Sequence, residues 1–152
     1  MNKARKIAIA GATGMVGQSF LKLLEKDYFQ DSEISLLASS NSAGKEINFR
    51  GQNYKVEDLS KFNFSEFDLA LFSAGSSVAS TYAPIAVSQG CVVVDNSSCF
   101  RYEDDTPLIV PEVNGKVLDN YELPGIIANP NCSTIQMLVA LKPLHDLSLI
   151  HI

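Results

Sequence analysis

Residues 7–17 are Ile7-Ala8-Ile9-Ala10-Gly11-Ala12-Thr13-Gly14-Met15-Val16-Gly17. A short apolar run that ends at a glycine is typical of a strand buried on both faces of a parallel sheet. Beyond the glycines, Val16, Phe20, Leu23 and Leu24 recur at helical spacing, with polar residues between them. A strand, a glycine-rich turn and an amphipathic helix in this order predict the first half of a β-α-β unit.

The glycine spacing in this turn is GxxGxxG, and its position between a strand and a helix is the context that a dinucleotide site requires. Gly11 allows a sharp turn, Gly14 lets backbone N–H groups approach a pyrophosphate, and Gly17 permits close packing of helix on strand. The helix N-terminus adds the positive end of its dipole. A purely structural turn is the alternative, and the flanking strand and helix favour a nucleotide.

The remaining chain continues the alternation of short apolar runs and longer amphipathic segments. The pattern predicts strands at 34–38, 67–72, 91–95, 108–110 and 126–128, extended pieces such as 54–56, and helices over about 78–89 and 133–144. Residues 147–152 alternate like a last strand. We therefore expect one α/β domain over residues 1–152, Rossmann-like and doubly wound, with a mostly parallel sheet and helices on both faces. A chain that stops at a strand suggests a longer protein.

The composition is that of an ordinary globular domain and excludes several classes of protein. The 152 residues are 46% hydrophobic and 19% charged, and the net charge of −5 argues against a nucleic-acid partner. No apolar run reaches the roughly 18 residues that a membrane-spanning helix needs, and none near the start resembles a signal peptide, so we expect a cytoplasmic protein. Three scattered cysteines fit a reducing compartment, and the sequence predicts no metal site.

The second predicted strand ends in Ala38-Ser39-Ser40-Asn41-Ser42, with Lys45 close behind. A site for NAD usually has an acidic residue at this place, where it binds the ribose 2′-hydroxyl. This chain has no carboxylate before Glu46. Hydroxyls, an amide and a lysine suit a 2′-phosphate better, which favours NADP, although an ordinary polar loop would look the same.

Cys132 follows Asn-Pro-Asn at the predicted start of an apolar helix. The dipole and the free N–H groups of a helix N-terminus stabilise a thiolate, so Cys132 is the candidate nucleophile for attack on an acyl or aldehyde carbon, with hydride exchanged at a nicotinamide. Cys91 opens an apolar strand and is expected to be a small core residue. Arg101 follows a strand end, where it suits a phosphate or carboxylate, or pairs with the neighbouring acidic residues at 103–105.

Six motifs occur in order, at 11–17, 38–45, 72–75, 94–98 with Arg101, 110–114 and 129–134. Together they closely resemble the N-terminal domain of the aspartate-semialdehyde dehydrogenase family, over essentially all of the chain. The resemblance implies NADP-dependent reductive dephosphorylation of aspartyl 4-phosphate in lysine, threonine and methionine biosynthesis. It implies that Cys132 forms an acyl-thioester and that Arg101 and Asn131 contact the substrate phosphate. The implied cofactor-binding residues are Gly11, Thr13, Gly14, Met15, Val16, Ser39, Ser40, Asn41, Ser42, Ser73, Ala74 and Gly75.

The chain departs from the family's pattern in two respects. The family often has an arginine at the position of Asn41, so the strictness of the NADP preference stays open. The family's full chain is more than twice as long, and its acid/base histidine, further substrate-binding residues and main dimer interface lie in a second domain. Neither His145 nor His151 matches that histidine. We therefore expect no turnover from residues 1–152, and a homodimer or a dimer of dimers for the full-length protein.

Two alternatives remain. N-acetyl-glutamyl-phosphate reductase shares the chemistry and the fold, but its cysteine motif is typically His-Pro-x-Cys-Tyr, where this chain has Asn-Pro-Asn-Cys-Ser-Thr. A non-catalytic domain that senses dinucleotides would explain the glycine loop and leave Cys132 without a role.

Overall fold

The computed structural model describes residues 5–149, and within them the central sheet is entirely parallel. Its order is β5-β2-β1-β6-β7-β8, and β3 and β4 form a separate antiparallel hairpin. The strands are β1 (Lys6–Ala10), β2 (Glu33–Ala38), β3 (Glu46–Phe49), β4 (Gln52–Lys55), β5 (Glu57–Asp58), β6 (Leu69–Phe72), β7 (Val92–Asp95) and β8 (Ile126–Ala128). The chain extends the sheet on one side of β1 first and then on the other.

Residues 5–149 contain four α-helices, of which α1 (Met15–Leu24), α2 (Ser76–Ser88) and α3 (Pro111–Asn114) lie between strands and α4 (Cys132–Asp146) follows β8. Short 3₁₀ turns lie at Asp27–Phe29, Leu59–Lys61 and Gly115–Asn120. No described helix is long and apolar enough to cross a bilayer.

Alternation along β1 divides the core into two halves. Ile7 and Ile9 pack in one cluster with Leu21 and Leu24 of α1, whereas Ala8 and Ala10 face the other cluster, which includes the alanines of α2. Successive side chains of a strand point to opposite faces, so the four buried positions of β1, residues 7–10, are all apolar because helices cover both faces. The predicted Rossmann-like, doubly wound fold is confirmed.

Most predicted elements are present with ends shifted by one or two residues. The strand predicted at 67–72 begins at Leu69, and the helices predicted at 78–89 and 133–144 are α2 and α4. The predicted strand at 108–110 is wrong, because this segment makes only one bridge, between Leu108 and Ala128. Its backbone bonds Ala128 through Pro107 O and Ile109 N, and Val110 is already the N-cap of α3.

The final predicted strand is not formed in its described part. Residues 147–149 make a turn that closes α4, with Ser148 at φ +58° and its N–H bonded to His145 O. A left-handed residue just after a helix is a common way to satisfy its last carbonyl groups. Residues 150–152 lie outside the described residues.

Arg50 joins the β3–β4 hairpin to the rest of the domain. Its guanidinium donates to four main-chain carbonyl oxygens, those of Leu24, Phe29, Gln30 and Ser32. It also lies 4.7 Å from the ring centroid of Phe49. These carbonyl groups belong to the end of α1 and the connection to β2, where a planar cation satisfies several acceptors at once.

Candidate functional site

The turn after β1 brings the backbone of three segments into close contact. Gly11 has φ +88°, and a Cβ on it would lie 2.9 Å from the Ser73 carbonyl carbon and oxygen. A Cβ on Gly17 would lie 2.3 Å from Gly11 O, so α1 packs directly on its own turn. Gly14 has φ −81°, and a Cβ on it would have one close neighbour, Gly11 O at 3.3 Å. The turn and the helix packing therefore require glycine at 11 and 17, and Gly14 keeps the approach to α1 open.

The N-terminus of α1 is exposed at the carboxyl edge of the sheet. Gln18 N donates to Gly14 O at 2.9 Å, the first backbone hydrogen bond of the helix. The N–H groups of Met15, Val16 and Gly17 precede it and have no partner within the helix. Met15 is 87% exposed and Thr13 is exposed as well. Free N–H groups at the positive end of a helix attract anions such as a pyrophosphate.

Beside this terminus lies a cavity of about 470 Å³ between the ends of β1, β2 and β6. Seven of the predicted cofactor residues line it: Gly11, Thr13, Gly14, Ser39, Ser40, Ser73 and Ala74. From β1 the chain first adds β2 on one side and later adds β6 on the other side, so the direction of strand addition reverses at β1. Open α/β sheets bind their ligands at such a reversal. Three loops that are far apart in sequence thus form one site.

Five other predicted cofactor residues do not line this cavity. Met15 and Val16 form the exposed start of α1, and Gly75, at φ +88°, is the N-cap of α2. Asn41 is exposed and Ser42 is half-buried in the turn beyond Ser40. Ser42 Oγ accepts a hydrogen bond from Lys45 Nζ at 3.3 Å, which holds that cation beside the turn.

Asp58 is a cavity residue that the sequence analysis missed, together with Leu59, Ser60, Val78 and Tyr82. It is half-buried at the end of β5, in register with Ala38 of β2. Its Oδ1 accepts from Ser60 N at 3.0 Å and from Ser60 Oγ at 2.8 Å. These bonds lower the pKa of the Asp58 carboxyl, with a smaller contribution from the charge of Lys61. No local signal marks Asp58, because its place depends on the pairing of β5 with β2.

Cys132 is exposed at the first position of α4, as the sequence predicts. Asn131 is the N-cap, and its Oδ1 accepts from Ser133 N at 2.9 Å and lies 4.0 Å from Cys132 Sγ. The cap fixes the turn on which the thiol sits and leaves the sulfur open to solvent. The positive end of the dipole of α4 lies at this same turn.

Arg101 is held against the same loop by main-chain oxygens. Its Nε donates to Asn129 O at 3.0 Å and its Nη2 to Asn96 O at 3.1 Å. The Asn129 side chain in turn donates to the Asn96 side chain, which ties the loop after β8 to the loop after β7. Arg101 forms no ion pair with residues 103–105 among the described residues. The guanidinium of Arg101 is thus bonded to the backbone of Asn129, which precedes Asn131 by two positions in the chain.

The other two cysteines have a different environment. Cys91 is completely buried, and desolvation together with the charge of Asp68 raises the pKa of its thiol to about 12. Cys99 is half-buried, and desolvation, followed by the charges of Asp95 and Glu103, raises the pKa of its thiol as well. Cys91 is the core residue that its apolar strand predicts. No described group of histidines, cysteines and acidic residues could hold a metal ion.

The cavity of about 470 Å³ and the cysteine loop lie on one edge of the sheet. All strands of the sheet are parallel, so the loops after β1, β2, β6, β7 and β8 leave from the same side. A hydrogen bond of 3.0 Å between Ser76 Oγ and Ser98 Oγ joins the start of α2 to the loop that carries Arg101. The edge therefore presents, in order, the cavity, an arginine and an exposed thiol.

Comparison with known proteins agrees with this arrangement. The model of the family "Semialdehyde dehydrogenase, NAD binding domain" matches residues 6–121. The chain belongs to this family. Its fold is therefore that of a nicotinamide-dinucleotide-binding domain, and residues 122–152, with Cys132, lie beyond the matched part.

Individual relatives extend the match through the cysteine loop. Aspartate-semialdehyde dehydrogenase of Legionella pneumophila is 57% identical over 96% of the chain and 42% of its own length. The crystal structure of aspartate semialdehyde dehydrogenase II of Vibrio cholerae complexed with ASA has a TM-score of 0.89 at 49% identity, over 95% of this chain and 47% of that one. The Candida albicans enzyme with NADP has a TM-score of 0.76 at 33% identity, over 95% and 47%. The chain spans less than half the length of these relatives.

Proposed function

We propose that this chain is the dinucleotide-binding and nucleophile-bearing part of an aspartate-semialdehyde dehydrogenase. The enzyme would convert aspartyl 4-phosphate to aspartate 4-semialdehyde with NADPH, or run the reverse reaction. The observation that carries the proposal is the common sheet edge, which holds the cavity at the glycine turn, a fixed arginine and an exposed thiol at a helix start. The names of the relatives support the substrate. The cysteine motif sets the chain apart from N-acetyl-glutamyl-phosphate reductases, and a sensing domain would not need Cys132.

The residues present fit a dinucleotide. A Cβ at position 14 would lie 3.3 Å from Gly11 O, and glycine at this place of the turn lets backbone N–H groups approach a pyrophosphate. We propose that Gly11, Thr13, Gly14, Met15 and Val16 hold the pyrophosphate, that Ser39, Ser40, Asn41, Ser42 and Lys45 receive the adenosine end with its 2′-phosphate, and that Ser73, Ala74 and Gly75 support the cofactor from β6. When bound, NADPH supplies the hydride.

Cys132 is the proposed nucleophile. Its thiolate attacks the acyl carbon of the substrate, and phosphate leaves with the electron pair of the broken C–O bond, which leaves an acyl-thioester on Sγ. Arg101 and Asn131 are proposed to hold that phosphate, because the guanidinium is fixed by two carbonyl oxygens and suits an oxyanion. After hydride has been added to the thioester carbon, the C–S bond breaks to release the aldehyde and the thiolate.

Proton transfer in this cycle needs an acid/base group that the described residues do not provide. His145 lies 13 positions after Cys132 on the same helix, on the order of 20 Å away at 1.5 Å per residue. We propose that the acid/base group belongs to a second domain, since the relatives are more than twice as long as this chain. No residue of α4 is buried, although the helix carries Met137, Leu141 and Leu144 on its surface. We propose that α4 is part of the surface that contacts this second domain. We also propose that the full-length protein is cytoplasmic and forms a homodimer or a dimer of dimers.

The test uses residues 1–152 and measures acylation of Cys132. Incubation with aspartyl 4-phosphate is expected to add the mass of one aspartyl group to Cys132, measured by mass spectrometry of the intact protein. Cys132→Ser should abolish the adduct, and Cys99→Ser, which removes another thiol of the same edge, should keep it. Absence of the adduct from the unaltered chain, under conditions where NADPH binds, would refute the proposed chemistry and favour a sensing domain.

A second measurement checks the need for a further domain. With aspartate semialdehyde, phosphate and NADP, the chain should form no NADPH above the Cys132→Ser control, because general acid–base catalysis contributes about 10²–10⁴-fold to such rates. Turnover within about tenfold of an intact relative would show that the catalytic set is complete in these residues.

A further inference from the structure

The nucleotide cavity contains a carboxylate at the place where a 2′-phosphate is expected. Among the residues that line the cavity, Asp58 is the one with a full charge at neutral pH, and no lysine or arginine lines it. Ser39 and Ser40 continue directly from Ala38, which is the register partner of Asp58. Adjacent strands lie about 4.8 Å apart, so the carboxylate belongs to the same end of the cavity as the two serines.

One oxygen of this carboxylate remains available to a ligand. Ser60 bonds Oδ1 with both its N–H and its hydroxyl, whereas Oδ2 accepts no hydrogen bond from residues 5–149. The bonds from Ser60 also keep the group ionised, since they lower its pKa. A fixed, ionised carboxylate with an open oxygen is an acceptor for a sugar hydroxyl and a source of repulsion for a phosphate.

The cations of this region lie outside the cavity. Lys45 is bonded to Ser42, beyond the cavity wall. Lys61 lies close enough for its charge to act on Asp58, but it lines only a second cavity, of about 790 Å³, which Asp58 also lines, together with Lys55 and Glu57. Attraction of a 2′-phosphate by the lysines therefore acts from outside the cavity, whereas the repulsion by Asp58 acts from within.

We propose that Asp58 is a specificity-determining residue that weakens the preference of this chain for NADPH over NADH. Its open oxygen accepts a hydrogen bond from a ribose hydroxyl of the adenosine, the role that an acidic residue at the end of β2 has in many NAD sites. Here the acidic residue comes from the neighbouring strand β5. The inference rests on the proposed function, because it requires that the cavity binds the adenosine end of a dinucleotide.

The test compares the affinities of NADPH and NADH by titration calorimetry on the unaltered chain and on two variants. Asp58→Asn removes the charge and keeps an oxygen for the N–H of Ser60. It should raise the ratio of NADPH to NADH affinity about fivefold, the effect of one like charge at close range in a solvated site. Glu57→Gln removes a charge from the adjacent residue, which does not line the cavity, and should change the ratio by less than about twofold.

The outcomes separate this inference from the proposed function. Failure of the unaltered chain to bind either dinucleotide would refute the proposed function, and the inference with it. Binding of both with a ratio in Asp58→Asn that stays within about twofold of the unaltered chain would refute the inference alone, and so would an equal change in Glu57→Gln. If Asp58→Asn does not fold, Asp58→Ser provides the same comparison, because serine also caps the turn at residues 59–61.

Discussion

Gly17→Ala should destabilise the domain through steric contacts between the new Cβ and the backbone of Gly11 and Ala12. The new Cβ would lie 2.3 Å from Gly11 O and 2.7 Å from Ala12 Cα, whereas unstrained contacts of this kind lie at about 3.5 Å. These are main-chain atoms, which cannot change rotamer, so α1 must shift by about 1 Å away from the turn at Gly11 and Ala12. Over-packing of this kind costs about 1–3 kcal/mol, and the better helix propensity of alanine offsets about 1 kcal/mol at most.

Contacts as short as 2.3 Å favour the upper end of this range, about 3 kcal/mol, so the expected net loss of stability for Gly17→Ala is about 2 kcal/mol. This loss corresponds to a melting temperature lower by about 6 °C in a domain of this size. Thermal unfolding followed by circular dichroism measures it. Gly115→Ala is the matched control, because its φ is −52° and its Cβ would have one ordinary contact, 3.9 Å from Pro111 Cβ. A Gly17→Ala protein that melts within about 2 °C of the unaltered chain would refute the argument.

Gly14→Ala separates the stability of the turn from its role in binding. Gly14 has a negative φ and a single built-Cβ contact at 3.3 Å, so the substitution should change stability by less than about 1 kcal/mol. Gly14 is nevertheless the position at which the turn lets backbone N–H groups approach a pyrophosphate, so the NADPH affinity should fall at least about tenfold by titration calorimetry. Unchanged affinity in a folded Gly14→Ala protein would contradict the proposed pyrophosphate site.

Three further predictions concern other parts of the molecule. With iodoacetamide at pH 8, peptide mapping should show that Cys132 is alkylated first, Cys99 second and Cys91 last, because Cys132 is exposed and Cys91 is buried. A pKa of about 12 also keeps the Cys91 thiol protonated until the pH approaches that value. Equal alkylation rates would contradict this order. Arg50→Gln should lower the free energy of unfolding in urea by about 3 kcal/mol, because four carbonyl oxygens lose a charged donor, and a loss below about 1 kcal/mol would contradict the role of Arg50. Asn131→Ala should lower the free energy of unfolding in urea by about 1 kcal/mol, because α4 loses its N-cap. An unchanged free energy of unfolding would show that the cap is dispensable.

The elements that the sequence predicted well are those with short-range signals. The apolar run of β1, its glycine turn and the start of α1 are contiguous, and their periods of 2 and 3.6 residues are visible in a window of about ten residues. The cap at Asn131 and the position of Cys132 depend on the same kind of local chemistry. For this reason the candidate site residues at 11–14 and 131–132 follow from the sequence alone.

Residues 108–110 show where short-range signals mislead. Leu108-Ile109-Val110 has the composition of a strand, but prolines at 107 and 111 bound it, and α3 begins directly after Val110. The segment therefore makes one bridge to Ala128 and no more. Residue composition reports the preference of a segment, whereas the length of its pairing depends on its neighbours in space.

By itself the sequence determined the α/β class, the glycine turn and the candidate nucleophile, because each depends on residues that are neighbours in the chain. Only the tertiary structure decided that Asp58 lies beside the loop after β2, and that Asn96 and Asn129 anchor Arg101. Asp58 is 20 positions from Ala38 in the chain and directly beside it in the sheet. The physical reason is that strand order and register follow from the burial of both faces of the whole sheet, a property that no single segment carries.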